Sequence, residues 1–297
     1  MLKRLFLSPS EPRLRAGWRL AIQTILLLVL LIGLGIPVGI LTFIIHGDTS
    51  GTLYFIIMTV VELIAYTASV YLARRLVDRR SFASLGFKLG RQAIIDLLAG
   101  IVITFVMMGL IYLAMRFLGW IQLTGLAWHS DPPWLVIGQI LLFFVIFIIV
   151  GWQEELLSRG YHLQTLASGT NLFWGVVISS AIFGLLHLGN PNATWVSAVG
   201  IFFAGLFLAL GYLRTGQLWL SIGLHIGWNF FEGVIFGFPV SGLNTYPLLH
   251  IRVSGPVLWT GGAFGPEAGL IVLPAIAIGA ILVIGYSILR SKPAPTK

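Results

Sequence analysis

Long apolar runs separated by short basic segments set the pattern of this chain. From Trp134 to Val150, seventeen successive residues include one polar side chain, Gln139. A run of about 20 such residues is what a helix needs to cross a hydrocarbon core. The pattern predicts eight helices: Trp18–Ile45, Thr52–Ala73, Gln92–Leu118, one that begins at Trp134, Leu172–His187, Thr194–Leu213, Leu218–Phe236 and Ala268–Leu289. Gly33, Gly35 and Pro37 are expected to bend the first. The expected fold class is all-α, a polytopic membrane helix bundle with about eight transmembrane helices, organised as a single integral-membrane domain over residues 1–297. The Gly- and Pro-rich segment Gly237–Glu267 reads either as an ordered cap or as a mobile loop. The C-terminal Ser291–Lys297 is expected to be disordered.

Composition supports this picture. Of 297 residues, 58% are apolar and 9% charged, where a soluble domain carries about 25% charged residues. The net charge of +8 could suggest a nucleic-acid partner, but its distribution argues against one. Sixteen of the 18 Lys and Arg residues fall on one side of the predicted spans, and only Arg116 and Arg252 on the other. That is the positive-inside pattern, and it puts both termini in the cytoplasm. The basic N-terminal tail precedes an apolar run too long for a cleaved signal peptide, so it reads as a retained first span. The chain is expected in the plasma membrane of a prokaryote. Cysteine is absent, which excludes disulfides, a thiolate nucleophile and Cys-ligated zinc.

Charged residues at membrane depth cost about 2.5–3.5 kcal/mol each on insertion scales, so those that occur need a partner or a purpose. Glu154 and Glu155 arrive together at the end of the fourth helix. Arg159 lies four residues after Glu155, in the favourable order for a helical ion pair, which leaves Glu154 without an evident local cation. A second polar cluster is Phe183-Gly-Leu-Leu-His187, and a third is His225-Ile-Gly-Trp-Asn229, whose His and Asn share a helical face. Glu232 follows on the same side, and Glu62 stands alone in the second helix, where it reads as a buried hydrogen-bonding residue. Ser158 and His162 are candidates to support Glu154.

The fourth and fifth helices form a hairpin that turns at Ser168–Thr170. Glu154 and His187 lie about 21 and about 24 Å from that turn along their helices, so they can face each other. His225 matches that depth only if the seventh helix begins deeper or the hairpin protrudes. A carboxylate and an imidazole on one water could activate it, with His225 and Asn229 hydrogen-bonding a developing oxyanion. Alternatively, Glu154, His187 and His225 could ligate a catalytic zinc with an open fourth position. The sequence does not separate these mechanisms. The zinc-protease motif H-E-x-x-H, the P-loop and the G-x-S-x-G elbow are absent.

The three clusters in this order resemble the CPBP family (CAAX proteases and bacteriocin-processing enzymes, also called Abi), which includes the type II CAAX prenyl endopeptidase. Its pattern is E-E-x-x-x-R, then F-x-x-x-H, then H-x-x-x-N, and Glu154–Arg159, Phe183–His187 and His225–Asn229 match it without departure. The resemblance covers the motif-bearing core 134–236. It implies an eight-helix membrane bundle with an intramembrane cavity. It further implies that Glu154 is the catalytic glutamate, His187 its partner on the water, and His225 and Asn229 the oxyanion donors, with Glu155, Arg159 and Phe183 supporting. The cofactor is either none or a divalent metal such as zinc.

The expected function is intramembrane endopeptidase action on a membrane-associated or lipidated, CAAX-like peptide. The expected partners are membrane lipids and that peptide or protein substrate, and no nucleic acid. Two alternatives stand beside it: a non-catalytic scaffold, immunity or regulatory protein of the same family, and a proton-relaying transporter.

Overall fold

A computed structural model of the chain describes residues 6–8, 13–47 and 52–290. The C-terminal tail expected to be disordered lies outside the described residues, as do Lys3 and Arg4. Among the described residues, eight long helices form in the predicted order: α1 (Ala16–His46), α2 (Thr52–Leu72, continuing as a π turn, Ala73–Val77) and α3 (Arg91–Phe117) come first. Next, α4 runs as α-helix Pro133–Glu155, π turn Leu156–His162 and α-helix Leu163–Gly169. The rest are α5 (Leu172–Leu186), α6 (Trp195–Thr215), α7 (Trp219–Asn229, continuing as a π turn, Phe230–Ile235) and α8 (Val272–Arg290). Among the described residues, seven helices are long and apolar enough to cross a membrane, α7 not being one of them. The chain is thus all-α and polytopic, an integral membrane protein.

Surface composition agrees. Large apolar side chains stay exposed along α1, among them Ile25, Val29, Ile32, Ile36, Ile40 and Ile44. A water-soluble protein hides most of such a surface, whereas lipid solvates it. Helix α7 falls short by its length and by the polar residues it carries, His225, Asn229 and Glu232. Every residue from Leu220 to Asn229 is buried, because α7 packs against α3 and α6, so it meets protein where the other helices meet lipid.

The chain divides into two compact units. One comprises Met1–Lys88 and Ile148–Ser179, and the other Leu89–Phe147 and Ser180–Lys297. In the first, α1 packs against α2 and against the last turns of α4. A buried polar knot holds this end together. Asp78 takes Arg19 Nη1 at 3.0 Å on one oxygen and Arg74 Nη1 at 3.1 Å on the other. Arg19 Nη2 also donates to Ser168 Oγ, in the last turn of α4. These two arginines sit on the side assigned to the cytoplasm by charge counting, yet they are buried and paired.

In the second unit, α3 and α7 approach so closely that only glycine fits between them. A Cβ on Gly223 would lie 2.1 Å from the Leu97 carbonyl oxygen, and one on Gly100 would lie 2.4 Å from the Leu224 nitrogen. Helix α6 starts with a capping box in which Thr194 and Ser197 bond each other's backbone N–H. Asp96 on α3 anchors α8, because it takes Arg290 Nε at 2.9 Å and Nη2 at 3.1 Å, together with the Tyr286 hydroxyl.

The segment Gly237–Glu267, left open between cap and loop, is ordered. Its strand β2 (Leu249–Val253) pairs antiparallel with β1 (Ile121–Leu126), with a register shift between Leu123 and Gly125. This ribbon went unpredicted because two short strands carry little periodicity. Ile121 anchors it in the core formed with Met107, Met108, Ile111 and Met115.

Candidate functional site

The Glu154–Glu155 pair lies where α4 changes from α to π geometry. Such a change opens the i→i−4 ladder and is common at functional positions. Glu155 Oε1 accepts Arg159 Nη1 at 2.7 Å, and both side chains are buried. The expected ion pair is therefore present, and it spans the first turn of the π segment. Glu154, half-buried, belongs to the same cluster. Arg159 is close enough to feel its charge as well as that of Glu155, which corrects the expectation that Glu154 has no local cation. Gln153 Nε2 donates to Glu62 Oε2 at 3.3 Å, so Glu62 is the hydrogen-bonded residue its isolation in α2 suggested. Glu62 and Tyr66 both lie within electrostatic reach of Glu154. Trp152 Nε1 donates to Thr67 Oγ1 at 3.0 Å and fixes the preceding residue of α4 on α2.

His162 turns away from the role proposed for it. Its Nε2 meets Gln23 Oε1 at 3.3 Å, and Gln23 Nε2 in turn donates to Ser69 Oγ at 3.2 Å. An amide oxygen only accepts, so the imidazole carries its proton on Nε2 and serves the α1–α2 packing. The π turn accounts for this, because it changes which side chains share a face beyond Glu155.

The second unit carries the other two motifs. Helix α5 ends at Leu186, and His187 opens a single 3-10 turn, His187–Gly189. The Phe183 carbonyl lies 2.8 Å from His187 Nδ1. A carbonyl only accepts, so Nδ1 carries a hydrogen, and in the neutral ring Nε2 holds the lone pair. Close packing fixes this end of α5, since a Cβ on Gly184 would stand 2.4 Å from the Ala198 oxygen on α6. His225 and Asn229 are both buried, one turn apart on α7. The Phe183 ring meets His187 with centroids 4.7 Å apart and His225 with centroids 6.0 Å apart. The F-x-x-x-H phenylalanine therefore packs against the histidines of both motifs in this unit.

Sequence reasoning missed one neighbour of this cluster. Trp228, between His225 and Asn229, donates its indole N–H to Glu267 Oε1 at 2.9 Å. Glu267 lies within electrostatic reach of His187. A buried indole needs an acceptor, which is the signal that could have raised the question, but the sequence does not say which residue answers it. Glu232, expected as a weak cavity-lining candidate, is fully buried.

Comparison with known proteins bears on the same stretch. The family model of type II CAAX prenyl endopeptidases, Rce1-like, matches residues 136–231. The chain is also similar to YdiL of Bacillus subtilis (strain 168), described there as a candidate membrane peptidase, with 34% identity over 97 residues. That match covers 32% of this chain and 38% of the length of YdiL.

Proposed function

Residues 136–231 carry a domain of the Rce1-like type II CAAX prenyl endopeptidase family, and on that premise we propose that the protein is an intramembrane endopeptidase. Glu154 acts as general base. It takes a proton from water as the water oxygen attacks the scissile carbonyl carbon, and His187 orients that water through Nε2. The carbonyl electron pair moves onto oxygen, where His225 and Asn229 donate hydrogen bonds to it. The intermediate collapses as the C–N bond breaks, and Glu154 returns its proton to the leaving amine. Glu155 and Arg159 hold the end of α4 that carries Glu154.

The observation that supports this reading best is the Phe183 ring packed against both His187 and His225. Two motifs that are separate in sequence become neighbours there. The glutamate-type mechanism is the reading proposed here; if a divalent metal such as zinc takes part instead, Glu154, His187 and His225 are the residues that would hold it.

The substrate class is a membrane-anchored peptide, with a lipidated, CAAX-like C-terminus as the first choice. The expected setting is a prokaryotic plasma membrane with both termini cytoplasmic and no nucleic-acid partner. The test is to present the protein in nanodiscs with lipidated and unlipidated peptides of one sequence and to read products by mass spectrometry. Internal cleavage that Glu154→Gln abolishes supports the reading. Cleavage retained in Glu154→Gln removes it.

A further inference from the structure

Glu267 lies outside all three motifs, on the single 3-10 turn Pro266–Ala268. It is nevertheless 4% exposed, and both its oxygens are committed. Oε1 accepts the Trp228 indole N–H at 2.9 Å. Oε2 accepts the Ser241 backbone N–H at 2.8 Å and the Ser241 hydroxyl at 2.5 Å.

Each partner leads to a different motif. Trp228 directly precedes Asn229 and follows His225 by three residues on α7. The Ser241 carbonyl accepts Asn190 Nδ2 at 3.0 Å, and Asn190 closes the 3-10 turn that His187 opens. One carboxylate thus joins the helix of His225 and Asn229 to the turn of His187.

The support behind this carboxylate is tight. A Cβ on Gly200 of α6 would lie 1.9 Å from the Glu267 carbonyl oxygen. Gly265, at φ 110°, and Gly242, at φ 84°, would put a Cβ 2.2 Å from the Pro239 oxygen and 1.9 Å from the Pro191 oxygen. Both positions need glycine for conformation and for space, so the turn cannot drift without unpacking.

A second buried carboxyl, Glu232, approaches the same turn, its Oε1 lying 3.3 Å from where a Cβ on Gly265 would stand. Two carboxylates in one desolvated region do not ionise together cheaply. The Trp228 indole and both Ser241 donors bond Glu267, which also lies within electrostatic reach of His187.

We propose that Glu267 is a positioning residue for the hydrolytic site, fixing the His187 turn and the His225–Asn229 helix in one register through Ser241 and Trp228. The proposal rests on the peptidase reading for its catalytic consequence, while the linkage itself can be read without activity. A misplacement of about 1 Å can cost on the order of a hundredfold in rate.

The experiment compares the full-length wild type in nanodiscs with Glu267→Gln, Glu267→Asp, Trp228→Phe and Ser241→Ala. Two readouts are taken: kcat and KM for peptide cleavage, and the NMR resonances of the His187 imidazole nitrogens and the Trp228 indole N–H. Glu267→Gln is expected to lower kcat by tenfold to about a hundredfold with KM unchanged, and to shift both resonances. Glu267→Asp, which keeps the charge, recovers part of kcat. Trp228→Phe severs one arm, and Ser241→Ala weakens the other by removing its hydroxyl while the backbone N–H stays; the two decide the matter if Glu267→Gln does not fold, since Trp228→Phe should lower kcat and shift the His187 signal and Ser241→Ala should do both to a smaller extent. Unchanged kcat overturns the proposal, and so does an unmoved His187 resonance. A wild type that cleaves no peptide counts against the peptidase reading, and the His187 and Trp228 resonances then decide the positioning claim.

Discussion

Phe183 stands perpendicular to His225, with ring centroids 6.0 Å apart and planes at 89°. The same ring meets His187 at 4.7 Å, so one side chain sets the approach of both imidazoles. Phe183→Leu keeps an apolar group of moderate size but removes the aromatic edge and face. It is expected to fold and to lose kcat. Phe183→Ala removes the whole buried ring, at a cost of about 3–5 kcal/mol. Thermal unfolding and cleavage measured on the same preparations separate the two effects.

The Glu155–Arg159 pair gives a stability prediction. Both side chains are buried, with Nη1 to Oε1 at 2.7 Å. Arg159→Ala or Glu155→Ala strands a buried charge and should cost about 3–5 kcal/mol. Replacing both, Glu155→Met with Arg159→Leu, removes the stranded charge and should recover much of that loss. Unfolding midpoints in nanodiscs check this, and a double variant less stable than either single would count against it.

The α3–α7 contact predicts a contrast between two glycines. A Cβ on Gly223 would lie 2.1 Å from the Leu97 oxygen, whereas one on Gly138 meets nothing within 4 Å. Gly223→Ala should cost about 1–3 kcal/mol by overpacking and reduce activity through α7, which carries His225. Gly138→Ala should leave unfolding and activity at the wild-type level.

Outside the spans, the Tyr246 hydroxyl donates to Asp131 Oδ2 at 2.6 Å. Loss of water around the half-buried phenol, then the hydrogen bond and charge of Asp131, push its pKa up to about 12. The folded state therefore favours the neutral phenol. The stability this contributes is complete below the ordinary tyrosine value of about 10 and is lost as pH rises through about 12. Phenolate absorbance of the wild type and Asp131→Asn should differ by one tyrosine, which titrates at lower pH in the variant.

Much of this molecule is legible in its sequence, and the reason differs from part to part. Seven of the eight helices follow from apolar runs long enough to cross a bilayer. The Glu155–Arg159 bond follows from a four-residue spacing that makes contact even where α4 passes from α to π geometry. The limits are equally physical. Spacing assumes an unbroken α-helix, so the π turn Leu156–His162 redirects His162 to Gln23. Charge counting treats every arginine as solvated, so it cannot see Arg19 and Arg74 buried on Asp78. The Glu267 network joins residues 39 positions apart through single hydrogen bonds, and no local periodicity marks such a link.

The central claim is that Glu154 and His187 serve one hydrolytic water. A double-mutant cycle in proteoliposomes tests it most directly, with kcat/KM measured for the wild type, Glu154→Gln, His187→Ala and the double variant on one membrane-anchored peptide. Groups that act as a unit are not additive. Each single variant should lose on the order of 10²–10⁴ in kcat/KM, and the double variant should lose no more than the worse single one. Losses that multiply in the double variant, or single variants that cleave at the wild-type rate, would contradict the claim.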